Sequence, residues 1–214
     1  MVCVVIYMIT HYNDSDIAIV VLHEIYGVNN HIDSVCKRLS KCKVDVIAPN
    51  LLNGRAPFSY EQEKMAYNFF MSNIGFTGAV TQVKEVLCHA RNNYKDVYVL
   101  GYSIGATLAW LCSETGLCDV MIGFYGSRIR NYLFIEPKCP CLLFFPTSEQ
   151  SFDVDSLIST LSHINNVHLK KLNGYHGFAD PFSRNYNKQS SIQAWAEIKS
   201  FVKKNDHREF NIAE

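Results

Sequence analysis

In the pentapeptide Gly101-Tyr102-Ser103-Ile104-Gly105, a hydroxyl sits two residues from a glycine on either side. That spacing suits a nucleophile. A serine carried on a tight turn projects its oxygen clear of the backbone, and flanking glycines leave no Cβ where a strand and a helix cross. The helix N-terminus that follows aims free N–H groups at negative charge developing beside the serine. A hydroxyl attacks poorly until a base removes its proton. His176, in the glycine-containing segment Asn173-Gly174-Tyr175-His176-Gly177-Phe178, is placed for that task directly after the last expected strand. His163 and His168 fall on a helix end and within a strand, where a solvated or packed imidazole is more ordinary.

The base in turn needs a carboxylate to hold one tautomer, and in chain order that acid falls between serine and histidine. Glu149, nearest the end of a strand expected at Cys141 to Phe145, leads. Asp153 is the alternative acid, with Asp155 close behind. Asp153 can instead cap the helix that Asp153-Val154-Asp155-Ser156 opens. The loop His23-Glu24-Ile25-Tyr26-Gly27 follows an early strand, a place that commonly supplies the second donor of an oxyanion hole. It nominates the backbone N–H of Ile25 beside that of Ile104. A carboxylate at Glu24, so near such a site, is expected either to take part or to turn to solvent, because burying it unpaired is costly. The competing reading makes Ser103 an incidental residue at an ordinary strand–helix junction.

The elements that must position these residues favour the nucleophile. Val97 to Leu100 reads as a buried strand running into the pentapeptide, and Ala106 to Leu111 as the helix after it. Ile17 to Leu22 is a continuous apolar run, as expected of a parallel strand covered on both faces. Further strands are expected at Met1 to Ile9, Val44 to Ala48 (closed by Pro49), Val120 to Tyr125, Cys141 to Phe145 and Val167 to Leu172. Helical spacing marks Ile32 to Leu39, Tyr60 to Met71, about Thr77 to Asn92, Asp153 to His163, and Ile192 to Val202; the tail after Lys204 is polar. Alternation of strand and helix implies an α/β fold with a mostly parallel sheet, its ligands at the carboxyl ends of the strands.

Composition sets the limits. The 214 residues suit one α/β domain spanning 1–214, with no linker to divide it. Twenty basic and twenty acidic residues cancel, which argues against nucleic acid or an anionic membrane held by bulk charge. Eight scattered cysteines, mostly in apolar contexts, read as reduced core thiols and point to a cytoplasmic protein. Cys139-Pro-Cys141 lacks metal-site spacing, so no metal and no cofactor are expected. The apolar N-terminus has no basic lead, is too short to span a bilayer and shows no cleavage site, so neither export nor membrane insertion is expected.

The three segments His23-Glu24-Ile25-Tyr26-Gly27-Val28-Asn29, Gly101-Tyr102-Ser103-Ile104-Gly105-Ala106 and His176-Gly177-Phe178 together resemble the dienelactone hydrolase family of α/β-hydrolases. That family carries an E-I-x-G-V-N loop, a G-Y-C-x-G-G elbow and an H-G-F or H-S-F loop. The stretch from Asp180-Pro181-Phe182 to Trp195-Ala196 is also similar, and the likeness runs in order from about Ile17 to Val202. The resemblance implies Ser103 as nucleophile, His176 as base, Ile25 and Ile104 as oxyanion amides, and Glu149 at the place of the family's aspartate. It implies that Glu24 matches the glutamate that contacts the resting nucleophile in the cysteine enzymes. Glu24, Tyr26, Arg55 and Tyr102 are the candidates to contact substrate or gate the site.

Two departures carry weight. Ser103 stands where the family has cysteine, so a plain Ser-His-Glu relay replaces activation of a thiolate. Asp180 lies where the lactone hydrolases place a cation for a substrate carboxylate, which argues against dienelactone itself. The expectation is a serine hydrolase of a small-molecule ester, lactone or thioester, monomeric or homodimeric. The alternative is a non-catalytic protein of this fold that binds a ligand or partner.

Overall fold

The computed structural model describes residues 8–206. Seven strands form one sheet in the order β1-β3-β2-β4-β5-β6-β7. They are β1 (Met8–His11), β2 (Ile17–Leu22), β3 (Asp45–Pro49), β4 (Asp96–Tyr102), β5 (Val120–Phe124), β6 (Cys141–Pro146) and β7 (Val167–Leu172). Only β1 runs antiparallel, against β3; the other pairs are parallel. The helices are α1 (Asn30–Ser40), α2 (Glu63–Asn73), α3 (Gly75–Asn93), α4 (Ile104–Cys112), α5 (Val154–Leu161) and α6 (Lys188–Asp206).

Side chains alternate across each strand and so divide between two cores. From β2, Ala18, Val20 and Leu22 join one face with Ala66 and Phe70 of α2, Val83 and Leu87 of α3, and Leu108 and Trp110 of α4. Ile17, Ile19 and Val21 join the other, with Ile32, Val35 and Leu39 of α1 and Trp195, Ile198 and Val202 of α6. Every residue of β2 is buried, which is why its sequence reads as an unbroken apolar run rather than an alternating one. α4 is apolar on all sides because it packs on the centre of the sheet beneath α3.

Some boundaries move. The strand expected at residues 1–9 appears as Met8–His11, and the earlier residues lie outside the described ones. Pro49 ends β3 from within: the pairing with β2 stops at Ile47, so the missing N–H is not needed on that side. The segment expected as one helix from Tyr60 opens with a 3-10 turn at Tyr60–Gln62 before α2, its entry held by the Ser59 N–H donating to Gln62 Oε1 at 3.0 Å. α6 starts at Lys188, ahead of the first apolar position Ile192. Asn187 Oδ1 caps it by accepting from the Ser190 N–H at 3.1 Å, a signal that hydrophobic spacing does not carry. α6 continues to Asp206, and the polar residues after it lie outside the described ones.

Among the described residues, no helix is long and apolar enough to cross a membrane. The cysteines at 36, 42, 88, 112, 118, 139 and 141 are free thiols, as composition suggested; Cys3 lies outside the described residues.

Candidate active site

Ser103 stands between β4 and α4 with φ +53° and ψ −112°, a conformation that a side chain makes costly, by about 1–3 kcal/mol. The surroundings hold it there. Its N–H donates to Phe124 O at 2.9 Å, across to β5, and its carbonyl accepts from the Thr107 N–H at 3.2 Å in the first turn of α4. The flanking glycines are required by contact rather than by flexibility. A Cβ on Gly101 would collide with the Gly105 carbonyl, and one on Gly105 with the Leu22 carbonyl. α4 can therefore approach the ends of β2 and β4 closely enough to set Ser103 at the rim.

His176 comes to the same rim from the loop after β7. Ser103 Oγ lies 2.9 Å from His176 Nε2, and His176 Nδ1 lies 2.7 Å from Glu149 Oε1. An ionised Glu149 can only accept, so Nδ1 carries the proton and Nε2 turns its lone pair toward the serine hydroxyl. The loop is held from both sides. Gly177 takes φ +86°, Asn185 Nδ2 donates to His176 O at 2.8 Å, and Thr147 Oγ1 accepts from the Gly174 N–H at 3.2 Å. That last bond ties the segment bearing the acid to the segment bearing the base. Burial pulls the His176 imidazole down, but the hydrogen bond and charge of Glu149, with the charges of Glu24 and Glu63, outweigh it and leave the ring above its ordinary value.

The alternative acid is occupied elsewhere. Asp153 is the N-cap of α5, its Oδ1 accepting from the Ser156 N–H at 2.7 Å, and Asp155 pairs with Lys171 at 2.6 Å. His163 lies exposed in the turn after α5, and His168 lies on β7.

The loop after β2 is fixed by a buried histidine. Leu51 N–H donates to His23 Nε2 at 2.9 Å, so Nδ1 holds the proton and donates to Glu24 O at 2.6 Å. Burial lowers this imidazole to about 4 and keeps it neutral. The Phe58 N–H donates to Tyr26 O at 2.9 Å, and Gly27 takes φ +85°. The Ile25 amide makes no backbone hydrogen bond among the described residues. Ile104, the first residue of α4, has no intrahelical acceptor for its N–H.

Two expectations need correction. Glu24 neither faces solvent nor bonds to Ser103: it is 5% exposed, and its Oε1 accepts from the Tyr125 hydroxyl at 3.0 Å. Burial, with Asp180 nearby, raises its carboxyl to about 7. Tyr102 does not line a site. It is 1% exposed, stacked on Phe124 at 4.8 Å and edge-on to His31 at 4.5 Å, because alternation turns it into the core while Ser103 turns out. Asp180 is fully buried too, accepting from the Tyr60 hydroxyl at 2.6 Å and the Phe182 N–H at 2.8 Å.

Tyr26 is half-buried beside Tyr60, their rings 4.8 Å apart. Arg55 is exposed and lies over Phe58 at 4.3 Å and Phe69 at 5.0 Å; it makes no ion pair among the described residues. Sequence reasoning missed the polar layer under the site, formed by Glu24, His31, Tyr60, Tyr125 and Asp180. Its members share no local spacing; only the fold collects them.

The profile of the dienelactone hydrolase family matches residues 5–205. A protein of Bacillus subtilis (strain 168), YczH, described as uncharacterized, is 36% identical over 184 residues, covering 85% of this chain and 90% of its own length. A Saccharolobus solfataricus protein, provisionally named a carboxymethylenebutenolidase, is 23% identical over 231 residues, covering 88% of this chain and 89% of its own. Among solved structures, the dienelactone hydrolase-like promiscuous phosphotriesterase P91 from metagenomic libraries superposes with a TM-score of 0.74 at 13% identity, covering 92% of each chain, a likeness of fold.

Proposed function

This chain belongs to the dienelactone hydrolase family, with the fold and hydrolase type of that family, and from that footing we propose that it is a serine hydrolase of small-molecule esters, lactones or thioesters. One observation carries the reading: an unbroken relay of 2.9 Å from Ser103 Oγ to His176 Nε2 and 2.7 Å from His176 Nδ1 to Glu149 Oε1. Fold alone would not license it.

In this reading Ser103 Oγ attacks the substrate carbonyl carbon while His176 Nε2 takes the hydroxyl proton. Glu149 holds the ring in the required tautomer and stabilises the imidazolium. The amides of Ile25 and Ile104 receive the oxyanion, donors of this kind being worth about 3–4 kcal/mol of barrier each. The imidazolium protonates the leaving oxygen or sulfur. Water, deprotonated by the same imidazole, then cleaves the acyl-enzyme. Protein groups suffice for every step. Arg55 and Tyr26 remain the residues nominated to contact the substrate, and the protein is proposed to work in the cytoplasm as a monomer or homodimer.

An ester and thioester panel that includes p-nitrophenyl acetate, run on the wild type and on Ser103→Ala, tests the reading. The variant should lose on the order of 10⁴–10⁶ in kcat on every substrate the wild type turns over. Near-wild-type turnover in the variant refutes the assignment. A folded wild type inactive on the whole panel would favour a non-catalytic binding protein.

A further inference from the structure

We infer that Glu24, His31 and Asp180 form a buried divalent-cation site that clips three distant segments together behind the reacting groups. One ligand atom from each residue lies within 4.8 Å of the other two, and all three residues are buried. His31 Nδ1 is 3.7 Å from Asp180 Oδ2, too far for a hydrogen bond, and neither ring nitrogen of His31 has a hydrogen-bond partner. An imidazole 1% exposed with both nitrogens unpartnered is rare, since a buried polar atom left unsatisfied costs free energy. Its lone pair points to a ligand.

The charges point the same way. Two buried carboxylates face each other here, and among the described residues neither pairs with a lysine or arginine. Their protein partners are neutral donors: the Tyr125 hydroxyl for Glu24, and the Tyr60 hydroxyl and Phe182 N–H for Asp180. Tyr60 also accepts from Asn29 Nδ2 at 3.2 Å, the residue that caps α1. Hydroxyls donating to ligating carboxylates are the outer support such a site requires.

One imidazole nitrogen and two carboxylate oxygens suit Zn²⁺ or Mn²⁺. Bonds to Zn²⁺ of about 2.0–2.2 Å in a tetrahedron put ligand atoms roughly 3.4 Å apart. The His31–Asp180 pair already approaches that spacing at 3.7 Å. Rotation of the Glu24 side chain supplies the remaining contraction. The cation would join the loop after β2, the first turn of α1 and the loop after β7, segments separated by up to 156 residues (180 − 24), so it constrains a long closed loop. Its role is structural and takes no step in the proposed hydrolysis.

The test uses the full chain, stripped with EDTA and then titrated with ZnCl₂ and, separately, MnCl₂. Metal content by plasma mass spectrometry should reach one ion per chain. Tm should rise by roughly 5–10 °C with metal a hundredfold above its Kd. His31→Phe keeps the ring against Tyr102 while removing the nitrogens, and it should fold but show neither the bound ion nor the rise. Asp180→Asn preserves volume and serves as the second variant should the first fail to fold. Absence of stoichiometric metal in the wild type overturns the inference, as does binding that survives either variant undiminished. In both cases a trapped water would be the better partner for His31.

Discussion

Each member of the relay has a duty that its replacement should expose separately. Glu149 fixes the tautomer of His176, so Glu149→Gln should cost about 10⁴ in kcat. It should also move the acid limb of kcat/KM. His176 must be neutral to accept a proton, and its folded value stands above 6.5 because Glu149, together with the charges of Glu24 and Glu63, outweighs burial. Activity should therefore rise through a pKa above 6.5 in the wild type. In the glutamine variant burial still lowers the ring, opposed only by the charges of Glu24 and Glu63, and the limb should move to lower pH than in the wild type. The same sign governs stability: the imidazolium–Glu149 pair contributes fully below the unfolded pKa, and its contribution is lost as pH rises through the folded one. Asp153→Ala should keep kcat near the wild-type value and lose only the cap of α5, because its carboxylate is engaged with the Ser156 N–H. A collapse of kcat in Asp153→Ala with an unshifted limb in Glu149→Gln would reverse the two roles.

At the scale of elements, the decisive feature is the close crossing of α4 over the ends of β2 and β4. Gly105→Ala places a methyl against the Leu22 carbonyl, where only backbone movement can relieve the clash. A cost on the order of 3 kcal/mol is expected, seen as a fall in Tm of roughly 6–12 °C, together with reduced kcat as Ser103 shifts. A variant as stable as the wild type would mean that the helix does not sit where the contacts require. Sequence was informative here because the constraint is local: strand, Gly-x-Ser-x-Gly and helix are contiguous, and the serine's positive φ follows from the turn. β2 and β7 were legible to the residue for a similar reason, since six-residue apolar or alternating runs bounded by polar turns admit one reading. The starts of α2 and α6 were not legible. They depend on side-chain caps at Ser59 and Asn187 rather than on apolar spacing.

Across the whole molecule, the order of the sheet brings Ser103, Glu149 and His176 from the ends of β4, β6 and β7 to one rim. The elbow and the loops at strand ends, taken in chain order, nominated them with Asp153 as the alternative acid, because parallel strands deliver every following loop to the same edge. What lay beneath that rim was not legible. Glu24 looked like a group at the mouth of the site, Tyr102 like a neighbour of substrate and Asp180 like a misplaced charge. Facing direction decides all three, and facing direction depends on packing between segments far apart in sequence. Ser103 and Tyr102 are adjacent, yet alternation sends one to the rim and the other into the core. The central claim is that Ser103 is an activated nucleophile, and covalent labelling tests it most directly. Intact protein treated with a fluorophosphonate should gain one adduct, mapped by peptide mass spectrometry to Ser103 and absent from Ser103→Ala. A folded wild type that remains unlabelled, or an adduct that persists in the alanine variant, would contradict the account.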